Sequence, residues 1–178
     1  MKNLLFLFTL LLVSCFNGER PNKVRTMKVL EYNVEIGAPS NIVYDMMIDK
    51  DHFKEWVAVF GPNSFYEGSW EKGRKIIYKS PDENGNIQGM ISSIKKNIPN
   101  KEIYVQPIGI VENGVEIFSG DKTKDLDKSF ENYLFTDNGN GTSELRIRIA
   151  VYEELEDYFN DTWPKALKVV KRISETSK

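Results

Sequence analysis

The sequence predicts an α+β domain: a curved antiparallel sheet with two short helices near its start and a long helix laid across it at the C-terminus. Two observations carry this. From residue 64 to residue 152 the chain is nearly all short apolar runs punctuated by Asn, Gly and Pro turns, the pattern of a strand-rich region. After it, Phe159, Trp163, Ala166, Leu167, Val170 and Ile173 fall on one stripe at helical spacing, while Lys165, Lys168, Lys171 and Arg172 fall mainly on the other side. A helix with one apolar stripe must bury it against another layer, and here most of the chain ahead of it reads as strands.

The 178 residues, 40% hydrophobic and 28% charged, suit one domain plus a leader. With a net charge of −2 there is no basic footprint for nucleic acid, so no nucleic-acid partner is expected.

The leader occupies residues 1–14. Lys2 is a minimal positive start, and the apolar run that follows is too short to span a bilayer as a helix but has the length of a secretory h-region. It ends in Leu12-Val13-Ser14-Cys15, which resembles the bacterial lipobox. In that motif the cysteine thiol takes up a diacylglyceryl group and then becomes N-terminal, and several acyl chains hold a soluble domain at a membrane. This favours Cys15 as a lipidation site over a plain export signal or an uncleaved anchor. Residues 15–26 then form the lipidated cysteine and a polar tether, and residues 27–175 the domain. The expected location is the bacterial cell envelope, at a membrane reached through the lipid. Cys15 is the only cysteine, so the domain has no disulfide framework.

Within the domain, residues 27–36 alternate in part, with Val29, Tyr32, Val34 and Ile36 apolar among Lys28, Glu31, Asn33 and Glu35, and read as a first strand. Pro39 is placed to open a helix carrying Ile42, Val43, Met46 and Met47. Asp49 can cap a second helix in which Phe53, Trp56 and Val57 share a face. Strands are predicted over 64–67, 74–80, 87–98, 102–111, 129–136 and 143–152. Asn84-Gly85 and the Asn/Gly run 137–141 provide hairpin turns. Pro107 and Gly109 point to an edge, a bulge or a bend in their strand. Residues 113–128 are the least regular internal segment and suit a lid, a binding loop or plain surface. Pro164 interrupts the last helix. Because Leu155, Phe159 and Trp163 extend the stripe backwards, a longer helix from about Glu154, kinked at Pro164, is favoured over a restart capped by Asp161 or Thr162.

The order of elements and two motifs carry a resemblance. Val34-Glu35-Ile36-Gly37-Ala38-Pro39-Ser40-Asn41-Ile42-Val43-Tyr44, with Trp56 after the second helix, looks like the opening of the START-like (SRPBCC) superfamily. Gly141-Thr142-Ser143-Glu144-Leu145 and Trp163-Pro164-Lys165-Ala166-Leu167 are similar to the branch related to the activator of the 90-kDa heat-shock-protein ATPase. The resemblance implies a helix-grip fold, in which the sheet wraps the C-terminal helix and leaves a cavity for apolar or amphipathic ligands. Relatives include lipid carriers, hormone receptors, aromatase/cyclases and co-chaperones. The superfamily has no shared catalytic motif, so no catalytic residue carries over.

On that basis Trp56, Phe60, Tyr78, Tyr104, Phe118, Tyr133, Trp163 and Leu167 are the candidate cavity residues, and a small apolar ligand or lipid is the expected partner. No catalytic constellation stands out. His52 is the only histidine and reads as a helix residue beside Asp51. One histidine and one cysteine make a zinc site improbable, and neither a metal nor a cofactor is expected. Glu153, Glu154, Glu156 and Asp157 read as a solvated helix start. Three functions compete: a tethered ligand-binding domain, a cyclase- or dehydratase-like enzyme on an apolar substrate, and a protein-interaction module. The enzyme would need inward-facing Tyr, Glu or Asp groups with shifted pKa.

Overall fold

The computed structural model describes residues 25–177. The predicted leader, Cys15 and most of the tether lie outside the described residues.

The chain runs β1 (Met27–Ile36), α1 (Ser40–Ile48), α2 (Lys50–Val57), β2 (Phe65–Gly68), β3 (Lys75–Pro81), β4 (Ile87–Ile98), β5 (Glu102–Glu112), β6 (Val115–Ile117), β7 (Phe130–Asp137), β8 (Ser143–Tyr152) and α3 (Glu156–Thr176). Every strand pairing is antiparallel, in the order β1-β8-β7-β5-β4-β3-β2, with β6 added beside β5. The curved open sheet with its C-terminal helix fits a helix-grip fold.

Local chemistry explains the entry helices. Pro39 sits at the N-cap of α1, where its carbonyl accepts from the Ile42 and Val43 amides. Asp49 separates the two helices. Its Oδ1 accepts the amides of Asp51 and His52 at 3.0 and 3.1 Å, satisfying two of the orphan donors of the α2 N-terminus. The His52 ring sits at the surface beside the same oxygen.

Strand alternation divides the sheet into two faces. On the inner face Ile103, Val105, Tyr133, Phe135, Leu145, Ile147 and Ile149 join Trp163, Ala166, Leu167, Val170 and Ile173 of α3 in one core. On the outer face Ile77, Ile91 and Val111 make a smaller cluster. The Ser143 hydroxyl donates to the Ala38 carbonyl at 2.8 Å and fixes the end of β8 to the entrance of α1.

The long form of the last helix is the one observed: a 3-10 turn at Glu153–Leu155 leads into α3, which continues through Pro164. Proline lacks the amide that the carbonyl one turn back would receive. Nearby, the Thr162 hydroxyl donates to the Tyr158 carbonyl at 2.8 Å. The acidic cluster before α3 is matched by basic residues at the start of the domain, Lys28 with Glu153 and Glu156, and Arg25 with Glu154.

The segment 113–128 is more ordered than expected. Asn113 and Gly114, both at positive φ, form a two-residue turn that sends the chain back as β6. A 3-10 turn at Leu126–Lys128 follows. Its far end is fastened: the Gln106 amide donates to the carbonyls of Leu126, Asp127 and Ser129, and the Tyr152 hydroxyl donates to the Lys124 carbonyl.

Opposite Ile91 and Ser92 the β4–β5 register skips Ile108 between Pro107 and Gly109. This bulge is the irregularity that Pro107 and Gly109 predict. Before it β5 pairs with β7; after it β5 pairs with β6.

Candidate functional site

A cavity of about 130 Å³ lies between the inner face of the sheet, the α2 helix with its exit, and the first turns of α3. Three segments build its walls. Phe53, Trp56 and Phe60 come from α2 and the turn after it. Tyr78, Met90, Tyr133 and Ile149 come from the sheet. Leu155, Tyr158, Phe159 and Trp163 descend from the start of α3. Leu126 and Ser129, from the fastened end of 113–128, line it as well. Of the twenty lining residues ten are aromatic, one carries a carboxyl group and none is basic.

The rings are interlocked. Trp163 packs edge-on to Phe60 at 5.0 Å and lies over Trp56 at 6.0 Å, and Phe53 meets Trp56 at 4.8 Å and Tyr66 at 5.0 Å. Their polar ends tie the walls to the backbone. The Trp56 indole N–H donates to the Met47 carbonyl at 3.3 Å, the Tyr66 hydroxyl to Ile48 at 2.6 Å, and the Tyr158 hydroxyl to Phe60 at 3.2 Å. Burial pushes the Tyr158 hydroxyl up to about 12.

Of the eight residues expected at the cavity, Trp56, Phe60, Tyr78, Tyr133 and Trp163 lie on its wall. Three do not. Tyr104 pairs with Asn132 and Lys96 on the outer face, one residue out of phase with Ile103 and Val105, and stacks on Phe130 at 5.4 Å. Phe118 is 52% exposed and covers Gly109, which shares the outer face with Ile91. Leu167 is buried in the core but lies one helical turn beyond Trp163, the last α3 residue on the wall.

Glu131 is the lining carboxyl, a residue the sequence analysis does not single out. It stands on β7 two residues before Tyr133, opposite Ile149, and so shares their face of the sheet. Its Oε2 accepts the Tyr133 hydroxyl, while Oε1 takes no hydrogen bond from the described residues. Burial raises the Glu131 pKa above the ordinary carboxylate value, and the Tyr133 hydrogen bond offsets part of the rise. Burial, together with the Glu131 charge, holds Tyr133 and Tyr78 well above the usual tyrosine range. The Tyr78 hydroxyl is buried against Tyr133, and the Trp163 indole N–H is buried without a hydrogen-bond partner among the described residues. A buried donor without a partner is uncommon in folded proteins, and this one belongs to the wall. The signal for Glu131 is present in the sequence: with Tyr133 and Phe135 inward, period two turns Glu131 inward too.

No protein-family model and no curated protein matches this sequence. Solved structures do resemble the fold. An uncharacterized protein from Rhizobium leguminosarum is 12% identical with a TM-score of 0.57, covering 86% of this chain and 99% of its own. A protein from Mesorhizobium loti is 12% identical with a TM-score of 0.61, covering 85% and 99%. A protein of unknown function from Staphylococcus aureus is 12% identical with a TM-score of 0.60, covering 85% and 96%. At this identity the likeness is one of fold alone, and it is a likeness over nearly the whole length of each of these bacterial proteins.

Proposed function

We propose that the chain is a START-like domain, tethered to a bacterial envelope membrane through Cys15, that holds a small hydrophobic or amphipathic ligand between its sheet and its C-terminal helix. The observation that carries this reading is the cavity itself. It has ten aromatic residues on its wall and about 130 Å³ of space. Interiors of folded proteins are ordinarily packed with few voids larger than a water. A cavity of about 150 Å³ lined by apolar side chains stays dry and accepts a molecule of benzene's size. Drug-sized sites run to about 300–1,000 Å³, so the ligand is small.

The test is native mass spectrometry of the full chain, purified in detergent from its natural extract and then denatured to release small molecules. A reproducible apolar species, bound in proportion to protein and reduced by Trp56→Ala, is the expected result. A chain that is empty and ignores a panel of small apolar compounds overturns the reading. The tether is checked separately by cell fractionation: Cys15→Ser is expected to move the protein from membrane to soluble fractions.

The Glu131–Tyr133 pair favours a second reading, an enzyme that moves a proton on an apolar substrate. A carboxyl on an apolar cavity wall, with its pKa raised by desolvation, is suited to such work. Conversion of the recovered molecule by the wild-type chain, abolished in Glu131→Gln, would distinguish it from simple binding.

A further inference from the structure

We propose that the cavity selects small organic amines, with the protonated nitrogen held by Glu131 and the apolar body held by the aromatic wall. This rests on the ligand-binding reading above and names its ligand class.

Several carboxylates on the sheet and helices of this fold meet cations: Glu116 meets Lys75, Glu102 meets Lys96, Glu31 meets Arg146 and Arg148, and Glu55 meets Arg172. Among the described residues no lysine, arginine or histidine pairs with Glu131. Yet the residue sits on the inner face, where register places it among Tyr133, Ile147 and Ile149. Glu131 is half-buried on this apolar wall, where a charge without a partner is disfavoured, and the protein supplies only the Tyr133 hydroxyl at one of the two oxygens. The other oxygen takes no hydrogen bond from the described residues, and the residue lies on the cavity wall. A ligand cation is therefore the missing counter-charge.

The wall is suited to the same occupant. The negative faces of aromatic rings attract cations, and tryptophan does so best. Trp56, Trp163, Phe60 and Tyr133 surround the space that Glu131 borders. An ammonium group donates to the free oxygen and lies against these faces, while its hydrocarbon part fills the rest. An alcohol makes one hydrogen bond and leaves the charge uncompensated. An organic acid meets a like charge. The size of the cavity limits the body to about a single ring or a short branched chain.

The experiment is isothermal titration of the full chain in detergent at pH 7 with matched pairs: benzylamine against benzyl alcohol, and isoamylamine against isoamyl alcohol. Each amine is expected to bind about tenfold or more tightly than its alcohol, and Glu131→Gln to remove that preference. Equal affinity for amine and alcohol, or a preference that survives Glu131→Gln, overturns the inference while leaving apolar binding intact. Failure of amines and alcohols alike overturns both readings together. Should Glu131→Gln not fold, the amine-to-alcohol ratio of the wild-type chain decides the matter alone.

Discussion

The Trp163 indole of α3 lies over the Trp56 indole of α2, with ring centroids 6.0 Å apart and planes 25° from parallel. The contact joins the terminal helix to an entry helix, and the same rings form part of the cavity wall. Trp163 is only 3% exposed and also packs against Tyr32, Phe60 and Tyr133. Trp163→Ala is expected to lower stability by about 3–5 kcal/mol in urea unfolding. A loss below about 1 kcal/mol would show that the ring contributes little to the core.

Glu131 should leave a signature in the pH dependence of stability. Its pKa is raised in the folded chain, so folding binds its proton more tightly than the unfolded chain does. The stability associated with this proton is fully present below the unfolded value and is lost as pH rises through the folded one. The titratable groups that act with it are Tyr133 on its own strand and Tyr78 on β3, both held neutral across this range. Urea unfolding from pH 4.5 upward should show a decline in the ligand-free wild type that Glu131→Gln lacks. A flat difference between the two proteins would mean that Glu131 is not desolvated as described.

The α2 cap has the opposite sign. Two backbone amides, with the His52 amide the larger influence, and the His52 ring hold the Asp49 pKa below the ordinary value. Its stabilising effect is present above the unfolded carboxylate pKa and fades as pH falls through the folded one. Asp49→Ala should cost about 1 kcal/mol at neutral pH, and Asp49→Asn should recover much of it. Equal losses in both variants would place the effect outside the cap.

Gly109 allows a close approach on the outer face. A Cβ there would lie 2.7 Å from the Ile117 carbonyl oxygen and 2.9 Å from the Phe118 ring. Gly109→Ala is expected to push β6 away, at a cost of about 1–3 kcal/mol. Hydrogen exchange should quicken at the β5–β6 pairs while ligand affinity is unchanged, since the cavity is on the other face. Slow exchange at Ile117 in the variant would show that the strand accommodates the methyl group.

The fold was legible because β8 carries its alternation and the hairpin turns stand openly between the strands, and because the α3 stripe continues on both sides of Pro164. The site was legible where a ring's face follows from position, as for Trp163 and Tyr133. It was not legible where phase matters. Tyr104 is aromatic like its neighbours in the core, but one residue's shift along a strand turns it outward. Phe118 depends on a hairpin and a bulge that together decide which face it covers. Glu131 shows the converse: its strand phase was readable, but a carboxylate in a strand invites a solvent-facing assignment, and only the pairing with Ile149 shows its place.

The pairing of β1 with β8 ties together the two ends of the domain, from Met27 opposite Tyr152 to Ile36 opposite Ser143. The first strand to be synthesised thus waits for the last before it has a neighbour, and α3, which covers β1, is made later still. Long-range pairings of this kind slow folding because the chain must close a large loop before the contact is rewarded. Until then β1 is an unpaired edge carrying Val29, Val34 and Ile36, open to pairing with another chain. Completion of the C-terminus is therefore the event that pairs one side of the N-terminal strand, while its other side remains an edge of the open sheet.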